Sequence, residues 1–397
     1  MQPLIIQCYT TANCGGIGRD ALYRALRDRR SGLTHCAFET VDLDTYIGQV
    51  PDAELTPLRD DLAQFECRNN RLAQLGLRQD GFEQAVVRVR ERYGAARVGV
   101  FIGTSTAGIL QTELAYRRRD PNSGALPADF RYEHTHNTFS PASFVQRYLG
   151  LTGPAVAVSS ACSSSAKVFG NAQRMIATGL CDAAIVGGVD SLCLTTLYGF
   201  NSLQLVSKKP CRPFDAERDG ISIGEAAGFA VLEKAESKIG DDQLALLGVG
   251  ESCDAYHMST PHPEGLGARK AMQGALAQSG LGTTDIDYIN LHGTATRSND
   301  ATEGLAVNMI FGDNVAASST KGWIGHTLGA AGIMEAIISL IAIEENFMPG
   351  SLHTDTIDPG VSIRYLKDNK QAEVKRVLSN SFGFGGTNCS LIVGRLS

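Results

Sequence analysis

Short apolar runs alternate with helical patterns along most of this chain, and that alternation constrains its fold more than any other feature. Strand-like runs stand at "PLIIQC", "RVGVFIG", "AVAVSS", "DAAIVGG", "AAGFAVLE", "IDYINLH", "VAASST", "KRVLSNS" and "CSLIVGR". Between them, helical patterning predicts helices around residues 60–78, 108–118, 163–178, 266–279 and 328–345. Such alternation builds α/β layers. Several runs are apolar at successive positions, as strands covered on both faces are, so the sheets are expected to be central. A weak internal symmetry is also visible: small-residue turns feed helices at 158–178 and 318–345, each after a short strand. It suggests duplicated halves, 1–235 and 236–397, with the charged segment "EKAESKIGDDQ" (233–243) at the junction.

Composition narrows the class. At 397 residues, 43% hydrophobic and 20% charged, the chain has the balance of a globular protein of two or three units. A net charge of −6 and a pI near 5.8 argue against broad nucleic-acid binding, which needs a basic face. The most apolar helix, "GIMEAIISLIAIEENF", is cut by Glu335, Glu344 and Glu345 and falls short of the roughly 18 residues of a membrane span. The start, "MQPLIIQCYTTANCGG", lacks the basic lead of a signal peptide, so the cytoplasm is the expected compartment. The ten cysteines form no C-x-x-C pair and no His-rich metal spacing, which points to reduced thiols and no metal site. Nine read as small buried hydrophobes.

Cys162 is the exception. In "AVAVSSACSSSAKVFGNAQRMIATG" a strand ends near Ser160 and a helix starts a few residues on, which sets Cys162 near a helix N-terminus. Unpaired amides and the helix dipole there favour a thiolate, and the small neighbours Ala161, Ser163, Ser164 and Ser165 leave room for a substrate. An inert cysteine in a tight strand-helix crossing fits the same segment. Thiolate chemistry at a carbonyl calls for a proton-handling group and oxyanion donors. His292 in "INLHGTATRSNDATEG" and His326 in "SSTKGWIGHTLGAAGIMEAI" both follow strands and precede small-residue loops. A third glycine-rich site, "LSNSFGFGGTNCSLIVG" (378–394), permits positive φ and close approach of backbone to a ligand.

Taken in order, "SSACSSS", "KPCRPFDAERDGISIGEAAG", "DAYHMSTPHPEGLGA", "LHGTAT", "STKGWIGHTLGAAG" and "NSFGFGGTN" resemble the motifs of the elongating β-ketoacyl-acyl-carrier-protein synthases, over most of residues 95–394. The N-terminal "LIIQCYTTANCGGIGRDALYRALRDRRSGL" fits that family only loosely. The resemblance implies a thiolase-type α/β fold, two similar halves in five α-β-α-β-α layers. It also implies a decarboxylative Claisen condensation that extends an acyl chain by two carbons.

On the same resemblance Cys162 is the acylated nucleophile, and the backbone amides of Cys162 and Phe384 form the oxyanion hole. His292 and His326 hold the malonyl thioester oxygen, and Lys321 and Glu335 support them. Thr294 and Thr296 match pantetheine-binding hydroxyls, Phe382 and Phe384 an aromatic gate, and Thr106 a position at the acyl pocket. No free cofactor is implied, because phosphopantetheine arrives on the acyl-carrier protein. That partner is acidic, which makes Arg68, Arg71, Arg117, Arg118, Arg119, Lys208 and Lys209 candidates for its docking face. A homodimer is implied, with a chain-length-determining heterodimer partner as the alternative.

Departures from the family pattern are Arg297 and Asn299, where proline and glycine are usual, and Thr106. The stretch "HGTATRSND" together with "GHTLGAAG" resembles synthases of aryl-polyene or other polyene assembly as much as those of fatty-acid synthesis. Three rivals fit less well. A thiolase carries a second cysteine in the C-terminal glycine loop, where this chain has "FGFGG" and Cys389 only beyond it; a non-catalytic partner subunit loses the nucleophile; an initiating synthase has Asn at the place of His326.

Overall fold

In the computed structural model, which describes residues 2–235 and 242–396, each half of the chain contributes five main strands. The first half supplies β1 (Leu4–Asn13), β2 (Val98–Gly103), β3 (Ala155–Val158), β4 (Ala183–Asp190) and β5 (Ala226–Lys234), lying side by side as β1-β5-β4-β2-β3. The second supplies β6 (Leu244–Cys253), β7 (Tyr288–Asn290), β8 (Ala316–Ser318), β9 (Arg376–Gly383) and β10 (Thr387–Arg395), lying as β6-β10-β9-β7-β8. Both halves therefore order their strands first, fifth, fourth, second, third. The pairings also match, antiparallel from first to fourth and parallel from fourth to third. The halves meet where Leu4 and Ile5 of β1 pair with Leu246 and Ala245 of β6. The junction expected at 235/236 falls on residues outside those described.

Helices complete five layers. Two of them, α1 (Arg68–Leu77) and α2 (Ser140–Tyr148), cover the outer face of the first half, while α3 (Ser164–Ala177) is internal. In the second half α4 (Leu266–Ser279) covers the sheet with α5 (Arg297–Phe311) against it, and α6 (Ala331–Glu344) is internal. Both α3 and α6 touch strands of both halves and each other, and so form the middle layer. This location explains the composition of α6. Apart from Glu335 and Ser339 its buried positions are apolar or small on every face, as suits a helix enclosed on all sides. Residues 331–343 are all buried, and each enclosed Ile or Leu contributes roughly 1.5–3 kcal/mol. No helix among the described residues is long and apolar enough to cross a membrane.

Several parts of the fold differ from the sequence expectation, among them helices Arg19–Arg27, Phe82–Tyr93, α2 and Leu194–Ser202, which the patterning did not predict. The helix expected over 60–78 is broken: a 3-10 turn at Asp60–Phe65 is separated from α1 by Cys67, whose backbone is extended at φ −161°, ψ 161°. Strand β6 is unanticipated because Gly248 and Gly250 dilute its apolar run; at Gly250 a Cβ would stand 1.9 Å from the Ala271 carbonyl oxygen, so α4 lies directly on it. Helix α5 begins in "RSND", residues that read as a turn and here form a first helical turn.

The middle layer depends on one close approach. A Cβ on Gly332 would lie 2.5 Å from the Ala166 amide nitrogen, so α3 and α6 cross backbone to backbone there. Gly332→Ala is expected to cost about 1–3 kcal/mol by overpacking, read as a fall of several degrees in thermal unfolding; an unchanged melting temperature would contradict this account of the crossing.

Candidate active site

The elbow at Cys162 is stitched by its own serines. Ser164 Oγ accepts from the Ser160 amide at 2.9 Å and donates to the Ala161 carbonyl at 2.5 Å, and Ser163 Oγ donates to the Ser160 carbonyl at 2.9 Å. These bonds hold Ala161 at φ +52°, a left-handed conformation that is costly for alanine and turns the chain sharply before the cysteine. Ser165 Oγ reaches across the middle layer to accept the Ile333 amide at 2.9 Å. The small hydroxyl residues around Cys162 therefore build the turn.

Four segments converge on the sulfur. His326, after β8, places Nε2 3.1 Å from Cys162 Sγ, while its main chain bonds to Ser222 and Gly224 at 2.7 and 3.0 Å. His292, after β7, lies edge-on to His326 with ring centroids 5.3 Å apart, its amide donating to Glu303 Oε1 at 2.8 Å. The amide of Phe384, in the glycine turn between β9 and β10, and that of Cys162 itself point at the sulfur. Positive φ at Gly385 (79°) and Gly386 (73°) makes that turn possible. All three side chains are buried.

Hydrogen bonds fix the imidazole protons. His326 Nδ1 accepts the Leu328 amide at 3.1 Å, and His292 Nδ1 accepts the Lys321 ammonium at 3.4 Å. A neutral imidazole that accepts at Nδ1 carries its proton on Nε2, so both rings turn an Nε2–H toward the site. Both are held neutral. Burial lowers each histidine well below its usual pKa, the Lys321 ammonium lowers both further, and His326 adds to the effect at His292. Lys321 also bonds the His292 carbonyl and the Glu335 carboxylate, whose Oε2 accepts Ser381 Oγ at 3.0 Å. Cys162, His292 and His326 bring donor atoms within 4.8 Å of one another, a spacing that could hold a metal ion. With the protons on Nε2, however, the two rings have no free lone pair to offer there.

The thiol departs from expectation. Burial pushes Cys162 up to about 11; the Lys321 ammonium and the Phe384 amide pull it down, and Glu335 adds to the rise. The helix itself begins two residues beyond the sulfur, at Ser164. The resting pair is therefore a neutral thiol beside a neutral imidazole.

A cleft open at its mouth leads down to this group. Its lining includes the polar Thr294, Thr296, Asn299 and Asn388 and the apolar Phe200, Leu205, Phe382 and Phe384. Thr294 and Thr296 share a 2.8 Å hydroxyl bond, Phe382 stands edge-on to His292, and Phe384 lies against Phe200 at 5.7 Å. Asn299, one of the two departures after "HGTAT", lies with Ser298 in the first turn of α5 and lines the cleft, whereas Arg297, the other, opens the helix outside that lining.

Other expected residues lie elsewhere. Thr106 is absent from the cleft lining; its hydroxyl donates to Asp190 Oδ1 at 2.8 Å. Arg68 is mostly buried and held by Glu225 and Asp52 at 2.5 Å each, which removes it from a docking surface. Arg71 pairs with Glu66, Arg117 with Glu39 and Arg118 with Asp129. Arg119, Lys208 and Lys209 are exposed, the two lysines in the loop that also carries Leu205 into the cleft. Glu303, not among the expected site residues, clamps the His292 and Gly293 amides at 2.8 Å each, and burial raises it to about 7. Its sequence signal is the family resemblance, in which Asp300 and Glu303 keep acidic positions after "HGTAT".

The chain matches two family models, "Beta-ketoacyl synthase, N-terminal domain" over residues 2–238 and "Beta-ketoacyl synthase, C-terminal domain" over 244–355. It is 42% identical to a 3-oxoacyl-[acyl-carrier-protein] synthase 2 of Rhizobium meliloti over 75% of this chain and 74% of the relative. A synthase of the same name from Coxiella burnetii is 32% identical, over 93% of this chain and 90% of the relative. Among solved structures, the ketosynthase of Xenorhabdus doucetiae, in complex with its chain length factor, superposes with a TM-score of 0.90 and 37% identity, covering 99% of this chain and 98% of that one.

Only the thiolate of Cys162 reacts with an alkylating agent, and burial favours the thiol. The rate of iodoacetamide alkylation at Cys162 is therefore expected to keep climbing above pH 9. Lys321→Met, which removes the charge that pulls the thiol down, is expected to slow alkylation at pH 9 by roughly tenfold, one pKa unit. A plateau near pH 7 in the wild type would contradict this reading.

Proposed function

Because this chain belongs to the β-ketoacyl synthase family, and is thereby a condensing acyltransferase of the 3-oxoacyl-acyl-carrier-protein synthase kind, we propose that Cys162, His292 and His326 are its reacting residues. The observation that carries this is the sulfur held between His326 Nε2 at 3.1 Å and the Phe384 amide, at the foot of the cleft.

In the first half-reaction the Cys162 sulfur attacks the carbonyl of an acyl thioester delivered on phosphopantetheine. The amides of Cys162 and Phe384 receive the oxyanion. The pantetheine sulfur leaves and takes up the proton that Cys162 gives, so a neutral thiol and neutral imidazole are a balanced starting point. Acylation then frees His326 Nε2–H from the sulfur. In the second half-reaction a malonyl thioester loses carbon dioxide, and the electron pair left behind moves into an enolate whose oxygen accepts from both Nε2–H groups. The carbanion carbon attacks the acyl thioester, Cys162 leaves as thiolate and is reprotonated, and the product is a 3-oxoacyl thioester two carbons longer. Lys321 and Glu335 act behind the histidines, keeping their protons on Nε2.

The pantetheine arm would lie along Thr294 and Thr296, and the acyl chain against Phe200 and Phe384. For the carrier's docking face the exposed Lys208 and Lys209, beside the cleft loop, are favoured. A second chain of the same fold would pair on β3, a half-exposed apolar edge strand four residues before Cys162; a copy of this chain and a chain-length-determining partner both fit that edge. The cytoplasm is the proposed compartment, and the pathway is fatty-acid or polyene-type chain extension.

Intact-mass analysis with saturated and polyunsaturated acyl carriers tests the reading. Wild type is expected to gain an acyl adduct that Cys162→Ala lacks, and to yield a product two carbons longer on adding malonyl carrier. His292→Ala and His326→Ala are expected to lower decarboxylation of malonyl carrier by roughly 100-fold or more, the scale of losing one donor to a developing oxyanion. An adduct that persists in Cys162→Ala would refute the assignment.

A further inference from the structure

A buried carboxylate outside the proposed reacting group touches both sides of it. Asp190 ends β4, is fully buried, and is not part of the cleft lining. Every group facing its oxygens is a donor. Oδ1 accepts Thr104 Oγ1 at 2.7 Å, the Ser105 and Thr106 amides at 2.8 Å each, and Thr106 Oγ1 at 2.8 Å. Oδ2 accepts the Ser105 amide at 3.0 Å and the Gly329 amide at 2.5 Å. An ionised carboxylate, which only accepts, satisfies all of these; a carboxamide would turn an N–H against one of them.

Two of those donors lead to the reacting groups. Ser105 Oγ donates to the carbonyl of Ala161 at 3.4 Å, and Ala161 is the left-handed residue that turns the chain into Cys162. Gly329 follows Leu328, whose amide occupies His326 Nδ1. The two arms also touch: a Cβ on Gly329 would stand 2.7 Å from Ser105 Oγ and 2.8 Å from Asp190 Oδ2. Ser105 and Ala161 belong to the first half of the chain and Gly329 to the second, so one side chain joins the turn bearing the nucleophile to the turn bearing the histidine.

We infer that Asp190 is a positioning residue that sets the separation and orientation of Cys162 Sγ and His326 Nε2, through Ser105 on one side and Gly329 on the other. The inference rests on the proposed roles of Cys162 and His326. Without the carboxylate the 328–329 turn is released, the Leu328 amide no longer holds His326 Nδ1, and the Nε2–H directed at the sulfur is lost.

The test compares wild type, Asp190→Asn, Ser105→Ala and Thr104→Val, measuring iodoacetamide alkylation of Cys162 against pH together with kcat and KM for condensation. Because an ångström of misplacement in a reacting pair can cost about 100-fold, Asp190→Asn is expected to lower kcat by about that factor, to slow alkylation at pH 8 by about tenfold, and to leave KM within about threefold. Ser105→Ala, which cuts one arm, is expected to fall between. Thr104→Val removes a donor on neither arm and is expected to keep both rates within about twofold of wild type on the same scale. Wild-type rates in Asp190→Asn would overturn the inference, as would Thr104→Val losing as much as Asp190→Asn, the mark of general destabilisation. If Asp190→Asn does not fold, the contrast between Ser105→Ala and Thr104→Val decides alone. Alkylation needs no carrier protein, so a wild type unable to condense would count against the proposed function and leave the Asp190 comparison readable.

Discussion

The ion pair between Lys321 and Glu335 is the interaction on which the site depends. Both side chains are about 4% exposed, at the edge of the middle layer. Taking two charges out of water costs several kcal/mol per ion, and only close mutual pairing with further hydrogen bonds offsets it. Here the offsets are the pair itself, the His292 carbonyl that accepts from Lys321, and the Ser381 hydroxyl that donates to Glu335. The ammonium is thereby fixed where it faces His292 Nδ1 and depresses both imidazoles, so the two rings stay neutral with their protons directed at the cleft. The same charge opposes the burial that raises the Cys162 thiol. Burial acts most strongly on all three side chains, and this one pair adds to its effect on the histidines while opposing it at the thiol.

Duplication explains how the parts come together. Cys162 follows the third strand of the first half and leads into α3; His326 follows the third strand of the second half and leads into α6. The two internal helices cross at Gly332, which brings their leading turns face to face. His292 follows the second strand of its half, and Phe384 follows the fourth. The site is therefore a product of strand order: the ends of equivalent strands meet across the middle layer, and the converging side chains need no long excursions from the sheets to reach one another.

Much of this was legible in the sequence where local pattern carries the information. The ends of α4, the runs of β2 and β4, the elbow at Cys162 and the strand-loop settings of both histidines follow from residues adjacent in the chain. What misled was non-local. Arg68 and Thr106 look free in sequence, yet their partners, Glu225 and Asp190, lie 157 and 84 residues away. Helix α5 was hidden because Ser, Asn and Asp suit a turn as well as a first helical turn, and only its contact with α4 decides between them. The Cys162 thiol was read from its helix end, while burial, a property of the assembled fold, dominates.

The central claim is that both imidazoles are neutral and carry their protons on Nε2. Nitrogen-15 NMR of the histidine side chains of the intact protein at neutral pH tests it directly. The account predicts that His292 and His326 each show a protonated Nε2 and an unprotonated Nδ1, and that neither ring titrates near its ordinary pKa. A proton on Nδ1 of either ring, or an imidazolium at neutral pH, would contradict it.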